Sequence, residues 1–247
     1  MGRRFNWQIA LAMSLVALSA VVYFVHFLIF RDAHHIFIYM IGDIAFVFIE
    51  VLMVTLIIHG VLSLREKRAI MDKLNMVIGA FFTEVGTGLL QRIAALDEDF
   101  YEVRQNLLLN KDWTRRDFAQ AGKRMAEYDY TIEVKPEALD ELRDFLLAKR
   151  EFLLRLLENP NLLEHESFTD VLWAVTHLAE ELSHRATAYG LPAADYEHLA
   201  GDVSRAYART IGEWLTYMEH LQRKYPYLFS LAVRTNPFDP AASAEIE

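Results

Sequence analysis

The sequence predicts an all-α protein in two parts, an N-terminal two-helix transmembrane hairpin followed by a cytoplasmic helical bundle. Three observations carry this expectation. Two long apolar stretches fill the first 64 residues, apolar residues recur at helical spacing through the remainder, and no strand-like alternation persists beyond a few residues.

The run from Trp7 to Phe30 carries no formal charge. At about 1.5 Å per residue it extends roughly 36 Å as a helix, enough for a bilayer core. A cleavable signal peptide competes for the same stretch, because Arg3 and Arg4 precede it and Ala17-Leu18-Ser19-Ala20 looks like a small-residue cleavage site. The apolar run then continues to Phe30 without a polar segment, which favours a span. A short polar link, Arg31 to His35, leads to a second apolar stretch from Ile36 to Leu64, so the spans are expected at about 7–30 and 36–64. Arg3 and Arg4 lie before the hairpin and Arg65, Lys67, Arg68 and Lys73 after it, whereas the link holds only Arg31 against Asp32. Cations concentrate on the cytoplasmic side, so both termini are expected there, in a multi-pass protein of the inner, cytoplasmic membrane.

The second span contains Asp43 and Glu50, seven residues apart and therefore within about 20° of each other around a helix, with Tyr39 near the same stripe. Ionisable groups at such depth face protein or water rather than lipid. His26 on the first span lies at a depth that suits Asp43. Two readings compete. The carboxyls could join helices, within the hairpin or between subunits, or they could line an ion or proton pathway. The second reading needs several copies, because one hairpin cannot enclose a pore.

Residues 65–96 are expected to form juxtamembrane helices. Leu74, Ile78, Phe82, Val85 and Leu89 share one face, as a buried or oligomer-contact helix requires, with an interfacial or re-entrant segment as the alternative. Gly79 and Gly86 would let another backbone approach closely, although Gly86-Thr87-Gly88 could instead break the helix. Residues 97–234 are expected to form the bundle. Its helices are read at about 97–109, at 114–128 with Thr114 as N-cap, at 136–158 opened by Pro136, at 168–186, and at 193–224. The last carries a seam of Tyr196, Leu199, Val203, Tyr207, Trp214, Tyr217, Met218 and Leu221. Residues 235–247 have no periodicity and are expected to be a flexible tail.

Charge and composition then bound the function. Residues 1–64 are neutral overall, so the net charge of −9 belongs to the remainder, a balance that disfavours nucleic acid. The expected partners are the lipid bilayer and further copies of the chain. Absence of cysteine excludes thiolate catalysis, disulfides and cysteine-based metal sites. The sharpest chemical constellation is His177, Glu180, Glu181 and His184, followed by Asp195 and His198 on the next helix, spacings that di-iron bundles use. Taking Val175 as the centre of the apolar stripe of helix 168–186, all four fall on the opposite face, about 140–240° away, where a solvated or salt-bridged role is expected, with a metal-binding His/Glu protein as the alternative if that face packs against another helix or subunit. No nucleophile elbow, nucleotide loop or zinc-protease motif is present, and no cofactor or catalytic residue is expected.

Three stretches, IGDIAFVFIEVLMVTLIIHGVLSLREKRAIMDKLNMVIGAFFTEVG, YEHLAGDV and YPYLFSLAVRTNPF, resemble an uncharacterised family of prokaryotic membrane proteins with two transmembrane helices. The resemblance covers roughly a third of the chain. It implies no activity, so the expected role is non-enzymatic, in assembly or in relaying a signal between membrane and cytoplasm.

Overall fold

The computed structural model describes residues 2–97 and 99–245. Helices dominate, in the order α1 (Gly2–Phe30), α2 (Ala33–Phe81), a π turn (Phe82–Gly86), α3 (Thr87–Ala94), α4 (Phe100–Leu107), α5 (Arg115–Glu127), α6 (Pro136–Ala148), α7 (Arg150–Leu157), a 3-10 turn (Pro160–Glu164), α8 (Glu166–Ser183), α9 (Ala193–Lys224) and α10 (Pro226–Arg234). Among the described residues extended pairing is limited to one bridge, Asp97 with Ile132. The all-α class is therefore met. The chain divides into two compact units, Met1–Glu66 and Lys67–Glu247.

In the first unit two helices are long and apolar enough to cross a membrane, over Ile9–Phe30 and Ala33–Leu62, and neither is buried against other protein. The link is shorter than expected. Arg31 takes a positive φ of 52°, and the Asp32 side chain accepts the His35 backbone N–H at 3.1 Å. That cap satisfies an orphan donor of the first turn and starts α2 at Ala33 rather than Ile36.

In the second unit α9, at 32 residues, is the common wall. It packs against α3, α5, α8 and α10, while α6 and α7 lie on α8. The apolar patterns drive this arrangement. Phe168, Val171, Leu172, Val175, Leu178, Ala179 and Leu182, the expected stripe of α8, are all buried, as are Leu74, Ile78, Phe82, Val85 and Leu89 at the start of the unit. Thr114 caps α5 in a reciprocal capping box with Asp117.

Four local expectations are corrected. The 97–109 helix shrinks to α4, because the chain before it bonds to the extended segment, with Glu133 N–H donating to the Leu96 carbonyl at 3.0 Å. The 136–158 helix is two helices, since Lys149 leaves helical geometry at φ −101°, ψ 0°. Gly86-Thr87-Gly88 does not break the chain; the extra residue is absorbed in the π turn and α3 continues. The segment after α10 is not a loose tail at its start. Asn236 donates to the Leu107 carbonyl at 2.8 Å and accepts the Phe238 N–H at 2.9 Å. This turn delivers Phe238 into the core, where it is 0% exposed.

Candidate functional site

The polar residues of the apolar helices do not meet as a set. His26 stacks on Phe30 with ring centroids 4.7 Å apart, and with Tyr23, His35, Ile36 and Tyr39 it lines a cavity of about 280 Å³. Asp43 and Glu50 stand exposed on α2, and no hydrogen bond or ion pair joins either to a described residue. Ser14 on α1 donates to its own helix at the Leu11 carbonyl, 2.7 Å.

The His/Glu face of α8 divides. Glu180 and His184 remain exposed. His177 and Glu181 turn toward α9, which covers the edge of that face. His177 Nε2 lies 3.5 Å from Asp202 Oδ2, and His198 Nε2 lies 3.4 Å from the same oxygen and 3.8 Å from Glu181 Oε2. Asp202 is 2% exposed, and its other oxygen pairs with Arg205 at 2.6 Å. Arg185 binds Asp195 through two nitrogens, at 2.9 and 2.6 Å, and reaches Glu181 at 3.0 Å. The Arg185 hydrogen bonds hold the Glu181 and Asp195 carboxyls below their ordinary values. The four groups run as a string, Glu181, His198, Asp202, His177. Among the described residues no three or more His, Asp or Glu side chains are grouped so as to hold a metal ion.

A second buried carboxylate, Glu213, lies three turns further along α9. Its Oε2 accepts the Ser167 hydroxyl at 2.8 Å, and His165 Nε2 stands 3.7 Å from Oε1. His165 Nδ1 accepts the Phe168 N–H at 3.3 Å, capping α8; that bond assigns the ring proton to Nε2, facing Glu213. Burial pushes the Glu213 carboxyl up, against the Ser167 bond and the His165 ring. Glu213 also walls a cavity of about 360 Å³ with Tyr128, Tyr130 and Arg209. A carboxyl whose folded pKa is raised contributes stability below its unfolded pKa, and that contribution is lost as pH rises through the folded value. Glu213→Gln removes the loss. The variant is expected to match the parent near pH 4 and to be the more stable of the two at pH 8; denaturant unfolding at the two pH values measures this, and equal differences at both would contradict it.

The sequence reading missed Asp202 and Glu213. Counting 100° per residue from Leu199 places them at about −60° and −40°, on the edge of the seam. That angular position was the available signal.

A cavity of about 640 Å³ lies between the C-terminal turns of α2, the π turn, α9 and α10. Its floor is Phe82, Met218 and Leu221, its outer wall Leu228, Leu231 and Ala232, and its polar edge Asp72, Asn75 and His220. Gly79 makes the close approach possible: a Cβ there would stand 2.6 Å from the Tyr217 hydroxyl oxygen. Tyr217 in turn stacks on Phe82, at 5.3 Å and 11°. At Gly86 the close neighbours are not a second backbone but Phe81 and Phe82 of the preceding turn, at 2.9 and 2.5 Å from a built Cβ. Burial, together with the Arg223 and Lys224 charges and against the Asp72 carboxylate, lowers the His220 pKa at the cavity edge. A largely apolar pocket of this size with a few polar groups at one side is the usual form of a ligand site, and π turns concentrate at such places.

Residues 70–234 match the family model described as "Uncharacterized protein MJ1433, C-terminal helical domain", and residues 3–62 match "MJ1433, N-terminal helical domain". The chain is also similar to Uncharacterized protein MJ1433 of Methanocaldococcus jannaschii, with 45% identity over 234 residues, 95% of this chain and 94% of the relative. No solved structure matches.

Proposed function

We propose that this chain, which belongs to the MJ1433 family of proteins with helical N- and C-terminal domains, is a non-enzymatic membrane protein that crosses the bilayer twice. Its helical unit serves assembly or signal relay on the cytoplasmic side. The carrying observation is that both apolar spans, of 22 and 30 residues, bury none of their apolar stretch in protein. A core helix of a soluble protein hides such a surface, and exposed apolar surface of this extent has lipid as its natural solvent. The cavity beside the π turn supports relay, because an occupant there touches α2 residues and both C-terminal helices at once. Extraction of membranes with alkaline carbonate tests the anchoring. The chain is expected to stay with the lipid, and release into the supernatant would defeat the reading.

A second reading, an ion-conducting homo-oligomer, is favoured by one specific observation. Asp43 and Glu50 are exposed on an apolar helix without described partners, and in lipid such groups require protein or water beside them. Asp43→Asn with Glu50→Gln is expected to abolish ion flux into liposomes if they line the path. Unchanged flux, or none in the parent, leaves them as contacts between helices.

A further inference from the structure

We infer that the face built by the end of α9, α10 and the facing turns of α2 is a docking surface for an anionic bilayer surface. The inference rests on the membrane reading above. Four exposed apolar side chains of the second unit line the large cavity, Met76 on α2, Tyr225 before α10, and Leu228 and Leu231 on it, and two more exposed ones, Met71 and Tyr227, neighbour lining residues in sequence on the same two helices. Met76 and Tyr227 are each 72% exposed. Singly exposed apolar residues need no explanation, but a gathered set marks a contact surface.

Charge identifies the partner. Lys73 stands beside this set on α2 and Arg223 and Lys224 at the end of α9; all three are exposed, and no ion pair ties any of them to a described carboxylate. Asp72 sits on the same cavity edge, where its charge acts on His220; Glu219 is already paired with Arg115 at 3.7 Å. The rim is therefore net cationic in a unit whose overall charge is strongly negative. A second copy of the same acidic unit is disfavoured against such a rim, whereas anionic headgroups suit it. Tyrosine, leucine and methionine beside lysine and arginine are also the side chains of an interfacial amphipathic helix.

Register fixes which end of the unit carries the rim. Tyr217 lies at Gly79, and His220 lies at the level of Asp72, so α9 runs antiparallel to α2 there. Continuing three residues brings Arg223 beyond Asp72, toward Lys67, at the end of the unit from which the chain leads back to the apolar stretch. Ten residues separate Asp72 from Leu62, a tether of no more than about 35 Å even if fully extended.

The chain contains no cysteine, so single cysteines report unambiguously. Three variants of the full chain, Tyr227→Cys, Glu180→Cys and Val47→Cys, are labelled with a polarity-sensitive fluorophore. Each is reconstituted in phosphatidylcholine vesicles with or without phosphatidylglycerol and with quencher-bearing lipids. The Tyr227→Cys probe is expected to be quenched by lipids carrying the quencher near the headgroup, more strongly with phosphatidylglycerol. Adding Arg223→Gln or Lys224→Gln should lower its bound-to-free ratio about fivefold per charge. The Glu180→Cys probe should stay unquenched. The Val47→Cys probe reports the anchoring itself: if it is quenched by deep quenchers while Tyr227→Cys behaves like Glu180→Cys, the docking surface is overturned and the anchoring stands. If Val47→Cys is unquenched, both fail. Shielding of Tyr227→Cys that grows with protein-to-lipid ratio and ignores the lipid quencher also overturns the inference, in favour of a second copy.

Discussion

Replacing Phe238 with alanine is expected to destabilise the helical unit by about 3–5 kcal/mol, the usual cost of removing a fully buried phenyl ring. The ring is wholly inaccessible, meets Trp214 edge-on at 5.1 Å and 70°, and lies 6.4 Å from Tyr207. Its position depends on Asn236, itself buried and bonded to the α4 terminus at Leu107. A chain ending at Thr235 is expected to lose at least as much, because it forfeits both the ring and the buried amide. Denaturant unfolding of the protein in detergent, followed by far-ultraviolet circular dichroism, measures both. A loss below about 1 kcal/mol for Phe238→Ala would mean that the segment is peripheral.

Gly86→Ala is expected to cost about 1–3 kcal/mol, the range for overpacking a tight core, although a helical glycine replaced by alanine ordinarily gains up to about 1 kcal/mol. The reversal has a local cause. A Cβ at position 86 meets Phe82 at 2.5 Å and Phe81 at 2.9 Å, and each ring is held against another ring. Phe81 packs edge-on against Phe168 and Phe82 stacks on Tyr217, both at 5.3 Å. Gly201 in α9 supplies the control, since nothing lies within 4 Å of a Cβ built there; Gly201→Ala should stabilise by about 0.5–1 kcal/mol. Opposite signs for the two substitutions are the expected result, and a stabilising Gly86→Ala would contradict the packing described at the π turn.

What was legible in the sequence was what repeats. The stripe of α8 from Phe168 to Leu182 and the face from Leu74 to Leu89 follow the 3.6-residue period, and both are buried. What was not legible depends on single residues or on neighbours distant in sequence. Phe238 belongs to no periodic set; one asparagine turns the chain and one ring fills the space above Trp214. Asp202 and Glu213 interrupt an apolar seam, and only the positions of His177, His198, Ser167 and His165 across α8 and α9 explain how they are accommodated. The angular test applied to His177, Glu180, Glu181 and His184 considered α8 alone. It placed Glu180 and His184 correctly on the open side, but α9 reaches His177 and Glu181. The link between the apolar helices shortened for a similar reason, because the Asp32 cap counts for more than the polarity of His34 and His35.

Two membrane crossings would leave both termini on one side, and the cysteine-free chain permits a direct test of that arrangement. Ala33→Cys, in the first turn of α2, and Ser243→Cys, near the C-terminus, are each exposed to a membrane-impermeant maleimide on intact cells and again after disruption. Labelling of Ala33→Cys on intact cells, with Ser243→Cys labelled only after disruption, is the predicted result. Labelling of both positions from the same side of the membrane would contradict it.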